Sequence, residues 1–253
     1  MKINGLTPVY FDIETTGFSA WEDEFVCAAS SQVSDEIETF GVEFQQITTD
    51  FEETMTKFGE MREMFDLLLI TYNGENYRGG FDFPWLRSKC IQQGVEWRLS
   101  GVKHLDLLPL VRKYLNTTGY VEETPSKSQF KAGDLKKLAK ANDIDYQNMK
   151  QAYKAICELD NPDWLEYQEP EAKEDNSLQG VYQKLFDPEQ EERYISGDRI
   201  PELYEFHKAE SDPRPLETIK DHNRRDVERL KKVAEAVIPV LPDWEIERNI
   251  KEL

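Results

Sequence analysis

The stretch PVYFDIETTGF, residues 8–18, has the pattern of a β-strand that runs into a tight turn. β-Branched and aromatic side chains form the strand, and TTG at residues 15–17 is a turn signal. Side chains alternate along a strand, so Asp12 and Glu14 project from the same face, about 7 Å apart at their Cα atoms. Asp12 interrupts a run typical of a buried strand, where an unpaired charge is costly. The pair therefore predicts a bound cation, and the alternative is a solvent-facing acidic edge strand.

A third acidic position, Asp82, lies in ITYNGENYRGGFDFPWL, residues 70–86. An apolar run ends there in a Gly-rich segment, and a helix is predicted to follow. Pro84 fits the first turn of that helix, and Asp82 lies at its start, near free backbone N–H groups. An Asp at such a place is more often a helix N-cap than a ligand, so both interpretations stay open for Asp82 alone.

The fourth acidic position, Asp226, lies in DHNRRDVERL, residues 221–230, on an amphipathic helix predicted over about 216–237. Residues four apart share a helix face, so His222 and Asp226 point the same way. A lone histidine on a helix is usually structural or solvated. Carboxylates from distant parts of a chain, however, suit Mg²⁺ or Mn²⁺, and two such ions clamp the attacking and leaving oxygens of a phosphodiester displacement. Together the motifs predict a nuclease.

The segments FDIETTG, YNG…FDFPWL and HNRRDV resemble, in this order, the three exonuclease motifs of the DEDD superfamily of 3′→5′ exonucleases, whose fold is RNase H-like. Two further segments, KHLDLLPLVRKYL (residues 103–115) and GDRIPELYEFHK (197–208), are similar to the YprB-like branch of that superfamily. The resemblance covers about residues 8–230. It implies two bound divalent cations, Mg²⁺ or Mn²⁺, and four ligands for them: Asp12, Glu14, Asp82 and Asp226.

The resemblance also implies further site residues. His222 completes the catalytic set, in which it positions the attacking water. Four residues are implied to contact the substrate: Thr15, Thr16 and Gly17 around the terminal nucleotide, and Asn73 beside the backbone. Phe18 and Trp21 have two interpretations, stacking on nucleic-acid bases or plain core packing.

Two features depart from the pattern of these exonucleases. The Gly-rich segment at residues 75–80 is a few residues longer than the compact form, which alters how Asn73 meets a substrate but leaves Asp82 in place. His222 lies four residues before Asp226, whereas relatives with a histidine carry it five before and relatives with a tyrosine four before. A neutral imidazole near pH 7 can still orient or deprotonate water.

Chain length and cysteine content limit the setting. The 253 residues suffice for one α/β domain, and we expect a single domain over residues 1–253. No N-terminal apolar run has the length of a signal peptide or membrane span, which predicts a soluble, cytoplasmic protein without a membrane partner. The cysteines, Cys27, Cys90 and Cys157, lack CxxC spacing and read as reduced thiols rather than ligands of zinc or an iron–sulfur cluster.

The net charge of −19 is the main objection to a nucleic-acid enzyme, because phosphate binding normally shows as positive surface. The charge is uneven, however. Residues 127–140 hold five lysines against one Asp, and residues 220–232 hold six basic side chains against three acidic ones. We interpret these stretches as a local path for phosphates. A solvated charged face is nearly as typical of the first.

The order of predicted elements gives the fold class, an RNase H-like α/β fold with a mixed sheet flanked by helices and a largely helical C-terminal half. Strands are predicted at residues 9–13, 25–29, 37–44, 67–72 and 102–105. Helices are predicted at residues 51–64, 83–92, 107–115, 133–142 and 147–159, before the late helix. The acidic stretch at about 158–195 is predicted to be a surface insertion.

The predicted function is metal-dependent 3′→5′ exonuclease activity on single-stranded nucleic acid, with DNA favoured over RNA. Two alternatives remain open. One is an endonuclease or junction resolvase on the same fold, which would cut a circular strand. The other is a catalytically silent module that binds nucleic acid or a protein partner. Four intact carboxylates argue against the silent module, because a pure binder gains nothing from clustered repulsion.

Overall fold

The computed structural model of the chain describes residues 3–32, 49–76, 79–120, 124–125, 131–157, 167–168, 172–186, 195 and 197–253. Their strands are, in chain order, β1 (Thr7–Thr15), β2 (Phe25–Gln32), β3 (Leu67–Thr71), β4 (Lys103–Asp106), β5 (Thr118–Tyr120), β6 (Thr124–Pro125), β7 (Tyr167–Gln168), β8 (Ala172–Glu174) and β9 (Lys251–Glu252).

The α-helices of the described residues are α1 (Phe51–Met64), α2 (Asp82–Gln93), α3 (Leu107–Tyr114), α4 (Ala132–Ala141), α5 (Met149–Cys157), α6 (Leu178–Phe186), α7 (Ile200–Glu210), α8 (Pro213–Val237) and α9 (Asp243–Asn249). Short 3₁₀ helices at Gly197–Arg199 and Ile238–Val240 precede α7 and follow α8. These elements belong to two compact units, one of Met1–Thr117 with Asn176–Leu253 and one of Thr118–Asp175.

The first unit is built on a five-stranded sheet in the order β2-β1-β3-β4-β9. Strand β1 pairs antiparallel with β2 and parallel with β3, and β3 pairs parallel with β4. The short β9 pairs antiparallel with β4 at the other edge. Since β1, β3 and β4 run in the same direction, their carboxyl ends meet along one edge of the sheet, where α/β proteins commonly place ligand sites.

The two faces of the sheet bury different side chains of β1. Val9 and Phe11 lie in a core shared with α1 and α2, in which Phe11 packs edge-on against Phe58 with ring centroids 4.9 Å apart. Tyr10 lies in the opposite core, shared with α3, α6 and α8. Because side chains alternate along a strand, Asp12 and Glu14 lie on the Tyr10 face, which α8 covers.

The long helix α8 begins at a proline-rich turn. The Asp212 side chain accepts the N–H of Arg214 at 3.0 Å, and Pro213 occupies the first turn, where a missing N–H costs nothing. One face of the helix is buried at helical spacing, and its members are Ile219, His222, Asn223, Val227, Leu230, Val233, Ala234 and Val237. Three buried polar residues of α8, His222, Asn223 and Arg229, thus lie among the apolar side chains that pack the helix against the sheet.

The second unit contains two short antiparallel ladders, β5 with β8 and β6 with β7. Its helices α4 and α5 bury a small cluster of Leu135, Ala139 and Ile156. The lysines of α4 that the sequence placed in the first basic stretch, Lys136, Lys137 and Lys140, are exposed. Exposed lysines fit both interpretations of this stretch, a phosphate path and a solvated charged face, so both stay predictions.

The predicted α/β class, a mixed sheet flanked by helices, is confirmed. The four predicted strands and the predicted helices that fall on described residues are present, with ends that differ by a few residues. The strand predicted at residues 37–44 lies outside the described residues. Strand β9 was missed because its two residues carry no alternation that sequence reasoning can read.

The predicted surface insertion at 158–195 contains a helix with one buried face. Helix α6 buries Val181 and Tyr182 in the core beside α8. Its apolar residues Leu178, Val181, Tyr182 and Leu185 have helical spacing, which the acidic composition of the surrounding stretch concealed. Residues 158–166, 169–171 and 187–194 of the insertion lie outside the described residues.

Candidate active site

Three distant segments of the first unit meet in one cavity of about 510 Å³. Strand β1 supplies Asp12 and Glu14, the start of α2 supplies Asp82, and α8 supplies His222 and Asp226. The structure therefore brings together all five residues that the sequence predicted as catalytic. Their roles in catalysis remain a prediction.

The β1 carboxylates are held by a residue that sequence reasoning missed. Asn223 of α8 donates from its side-chain amide to Asp12 Oδ2 at 2.8 Å. The amide oxygen accepts in turn from the Sγ of buried Cys27 at 3.8 Å, which orients the group. The available signal was its position three residues before Asp226, which puts both residues on one side of the helix.

The α8 residues contact one another and the strand. His222 Nε2 lies 3.3 Å from Glu14 Oε1 and 3.5 Å from Asp226 Oδ2. Burial lowers the pKa of His222 below its ordinary value, which favours the neutral imidazole. The other oxygen of Asp226, Oδ1, accepts from Nη1 of Arg229 at 2.9 Å.

Arg229 does not contribute free positive charge to the predicted phosphate path along α8. Its side chain is only 4% exposed and is held by Asp226, with its guanidinium carbon 5.9 Å from the centre of the Tyr182 ring. Arg224 and Arg225 are half-exposed and both pair with Asp221, at 3.0 and 2.9 Å. The i,i+3 and i,i+4 ion pairs of the helix therefore occupy these three arginines, and Arg229 is buried.

Asp82 is not an N-cap. It is the first residue of α2, and the cap position belongs to Phe81, whose side chain makes no capping hydrogen bond. The Asp82 carboxyl is 4% exposed, and its Oδ2 atom has no hydrogen-bond partner among the described residues. A buried carboxylate oxygen without a partner is costly, so a ligand for it is expected.

The loop before α2 is closed at its base by backbone hydrogen bonds. Phe81 N–H donates to the Asn73 carbonyl at 2.7 Å, and Phe83 N–H donates to the Gly74 carbonyl at 3.1 Å. Asn73 has a φ of +70°, a left-handed conformation that Asn tolerates better than most residues. These backbone hydrogen bonds therefore fix both ends of the longer Gly-rich segment, and Asp82 keeps its place in the cavity.

Asp106, at the end of β4, holds the loop before α2 through hydrogen bonds to its carboxylate. Its Oδ1 accepts the N–H groups of Asn73 at 2.9 Å and of Leu108 at 3.0 Å, and its Oδ2 accepts from the side chain of Asn76 at 2.9 Å. The Leu108 bond is the N-cap of α3. The bonds to the loop come from 30 and 33 residues away, and no local pattern shows them.

The predicted substrate residues lie differently around the cavity. Asn73 lines it. The hydroxyl of Thr15 donates to the Gly17 carbonyl at 2.7 Å, and that of Thr16 accepts the Glu24 N–H at 2.8 Å. These hydroxyls stabilise the turn after β1. Thr15, Thr16 and Gly17 are not among the described residues that line the cavity.

The core-packing interpretation of Phe18 and Trp21 is wrong, since the two side chains are 93% and 57% exposed. Phe18 lines the cavity and meets Phe81 edge-on, with ring centroids 5.7 Å apart. Their loop is held from behind by Lys89, whose buried ammonium donates to the carbonyls of Ala20 at 3.1 Å and Asp23 at 2.7 Å. An exposed aromatic ring thus lies at the mouth of the cavity on an anchored loop.

Burial and mutual repulsion raise the pKa values of the cavity carboxyl groups. For Asp12 the largest cause is burial, followed by the charges of Asp82, Glu14 and Asp226, and the pKa lies well above its ordinary value. Burial also comes first for Glu14, followed by Asp226 and Asp82. Burial and the charge of Asp106 raise the pKa of Asp82 to about 8. The fold therefore holds together acidic groups that disfavour each other's ionised forms.

These residues fit a divalent cation. Carboxylate oxygens are the ligands that Mg²⁺ and Mn²⁺ prefer, and a cation among them replaces repulsion by attraction. One ligand atom each from Glu14, His222 and Asp226 lies within 4.8 Å of the other two. The partnerless Oδ2 of Asp82 faces no protein donor among the described residues, as expected of a ligand oxygen.

Comparison with known proteins identifies a family for the chain. A family model described as the RNase H superfamily matches residues 9–174 and 129–238, which together cover more than half of the chain. The chain belongs to the RNase H superfamily. No curated protein matches it.

Membership of this superfamily suggests nuclease-type hydrolase activity on nucleic acid, and RNase H-like nucleases use divalent metals. The mixed sheet with its flanking helices is consistent with the RNase H-like fold predicted from the sequence. In the described part of the chain, no helix is both long and apolar enough to cross a membrane.

The raised carboxyl pKa values predict how metal-free stability depends on pH. An unfolded Asp ionises near pH 3.9, whereas folded Asp82 ionises near 8, so between these values the folded state holds a proton that the unfolded state has lost. In EDTA, the free energy of unfolding should therefore fall as pH rises from about 5 to about 8, by up to about 1.4 kcal/mol per pH unit for each such group. Urea unfolding at several pH values measures it.

Millimolar Mg²⁺ or Mn²⁺ should raise the melting temperature and flatten this pH dependence, because the cations bind only the folded state. The Asp82→Asn variant should lose part of the pH slope in EDTA. Glu228→Gln, an exposed substitution on α8, is the matched control and should keep it. An unchanged melting temperature in millimolar metal would contradict a preformed cation site.

The bonds of Asp106 predict a stability difference between two caps. Asp50→Ala should cost about 1 kcal/mol, because it removes the N-cap of α1. Asp106→Ala should cost about 1–3 kcal/mol more, because it also leaves loop donors without their acceptor. Urea unfolding near pH 6, where Asp82 holds its proton, measures the difference. Equal losses would show that Asp106 is only a helix cap.

Proposed function

We propose that the protein is a metal-dependent 3′→5′ exonuclease that removes nucleotides from the 3′ end of single-stranded nucleic acid, with DNA preferred over RNA. The observation that carries the proposal is the convergence of Asp12, Glu14, Asp82 and Asp226 from three motif segments on one cavity. These are the segments that resemble, in the same order, the exonuclease motifs of the DEDD superfamily.

The reaction is hydrolysis of the terminal phosphodiester. A water oxygen attacks phosphorus, the bond from phosphorus to the 3′-oxygen of the preceding sugar breaks, and that oxygen takes up a proton. The products are a nucleoside 5′-monophosphate and a strand one nucleotide shorter with a free 3′-hydroxyl. Two divalent cations, when bound, supply electrostatic stabilisation of the attacking and leaving oxygens.

The chain's own residues would hold these cations and orient the ligands. Asp12, Glu14, Asp82 and Asp226 provide the carboxylate oxygens. Asn223 fixes the orientation of Asp12 through a neutral amide, so the hydrogen bond leaves the negative charge of Asp12 available. Arg229 fixes Asp226 through one oxygen, while the other faces His222. Ligands held by such neighbours need little reorganisation when a substrate arrives.

Phe18 supports a single-stranded substrate. The ring is almost fully exposed and lines the cavity next to Phe81. Aromatic faces stack on unpaired bases without reading their sequence, by about 1–3 kcal/mol per base. The bases at a duplex end are paired and stacked on their neighbours. Such an end must be opened before one of its bases can stack on Phe18. An unpaired 3′ end is therefore the substrate that suits the ring.

The carboxylates predict the effect of a conservative substitution. Asp12→Asn keeps the shape of the side chain and its hydrogen bond from Asn223, and it removes one repelling charge. It should lower the rate of hydrolysis by on the order of 10³-fold or more without lowering stability in EDTA. The matched control Glu228→Gln, on the exposed side of α8, should retain the wild-type rate. A wild-type rate for Asp12→Asn would end the assignment.

The polarity of the reaction is tested on labelled strands. A 5′-labelled single-stranded oligonucleotide should give a descending ladder, faster than a blunt duplex, because opening paired ends costs a few kcal/mol. DNA and RNA of the same sequence, each with Mg²⁺, Mn²⁺ or EDTA, measure the substrate and metal preference. A circular single strand should survive, and its cleavage would favour the endonuclease alternative. Early release of the 5′ label as a mononucleotide would show the opposite polarity.

A further inference from the structure

We infer that His222 is a direct ligand of a divalent cation, so that this site takes a transition-metal dication such as Mn²⁺ ahead of Mg²⁺. The inference rests on the proposed function, because it concerns the same carboxylate cluster. It differs from the role that resemblance to the DEDD exonucleases implies, in which the histidine positions the attacking water and leaves the cations to carboxylates.

The distances around Nε2 are those of ligands that share an ion. Nε2 of His222 lies 3.3 Å from Glu14 Oε1 and 3.5 Å from Asp226 Oδ2. One ligand atom from each of the three residues lies within 4.8 Å of the others. Ligand atoms bound at about 2.1 Å to one ion lie about 3.0 Å apart at neighbouring octahedral corners and about 3.4 Å apart at tetrahedral ones. The three side chains therefore need little movement to coordinate a common cation.

The backbone fixes this arrangement. His222 and Asp226 are four residues apart on α8, one turn above each other on one helix face, the spacing that helical ligand pairs of zinc sites use. Glu14 reaches them from β1. His222 is only 5% exposed, so its ring is held among neighbours, with Nε2 next to two carboxylates.

A second observation independently indicates a cation in the same cavity. Asp82 also lines it, its carboxyl is almost fully buried, and its Oδ2 atom has no hydrogen-bond partner among the described residues. A buried acceptor of this kind is rarely left without a ligand. It comes from α2, which is a different element from those that carry the other three side chains.

An imidazole ligand changes the metal preference. Mg²⁺ requires near-octahedral coordination by oxygen and keeps several of its waters. Imidazole nitrogen suits transition metals, whose affinity for nitrogen ligands rises along the series from Mn²⁺ to Cu²⁺. A Glu–His–Asp set therefore binds Mn²⁺ more tightly than Mg²⁺, whereas an all-carboxylate set discriminates less between them.

The test is electron spin echo spectroscopy of the full-length protein with one equivalent of Mn²⁺. Nitrogen bonded to Mn²⁺ gives a characteristic modulation, which ¹⁵N-histidine labelling must alter. We expect this modulation in the wild type, and we expect its loss in His222→Gln. Mn²⁺ affinity, measured by titration of the free-ion signal, should fall at least about tenfold in His222→Gln. Mg²⁺ affinity, measured by competition, should fall less.

His207→Gln is the matched control, because His207 lies on α7 and its Nδ1 bonds to the Asp212 carbonyl rather than facing the cavity. It should keep the nitrogen modulation and both affinities. Bound Mn²⁺ without nitrogen modulation in the wild type overturns the inference, even if single strands are hydrolysed, in which case the proposed function stands. Nitrogen modulation without hydrolysis of any strand supports the metal ligand and contradicts the exonuclease.

Discussion

Repulsion among carboxylates confined in one buried cavity is the constraint on which the rest of the first unit depends. Burial and neighbouring charges raise the pKa values of Asp12, Glu14 and Asp82, so each ionised form is unfavourable in the presence of the others. Such groups stay together only where separate elements hold each of them. Here the holders are a strand bonded on both sides, the start of α2 and a 25-residue helix packed across the sheet. The cluster stores electrostatic free energy that a cation releases on binding.

The neighbours of these carboxylates differ in a way that leaves room for cations. Among the described residues, Asp12 is held by a neutral amide, Asp82 Oδ2 has no hydrogen-bond partner, and Asp226 has a guanidinium beside it. Had each carboxylate been paired with a fixed arginine, the charge would be neutralised inside the protein and a metal would gain little. Asp106 shows the contrast, because N–H groups and an amide saturate its oxygens and it serves the backbone instead.

Sequence reasoning succeeded where function and local pattern coincide. The alternation of β1 put Asp12 and Glu14 on one face, and the helical period of α8 put His222 beside Asp226, so both pairs were predictable. It failed where a partner comes from far along the chain. Nothing near Asn223 shows that it bonds a side chain 211 positions away. Sequence reasoning likewise could not decide whether Asp82 is a helix N-cap or a ligand. The capping rules describe the first turn of a helix and not the cavity that the side chain enters.

The acidity of the chain also bears on how a polyanion approaches the cavity. Arg229 is buried against Asp226, and Arg224 and Arg225 are paired with Asp221, so α8 offers less free positive charge than its sequence suggests. Phosphates would then be attracted mainly by divalent cations bound where the carboxylates converge. In this arrangement the acidic surface would repel the phosphates of a strand, and the metal-loaded cavity would attract them. A strand would therefore bind where its phosphate contacts a cation. Nucleic-acid binding by so acidic a protein is therefore consistent with the same cluster of carboxylates that makes the metal-free fold unfavourable.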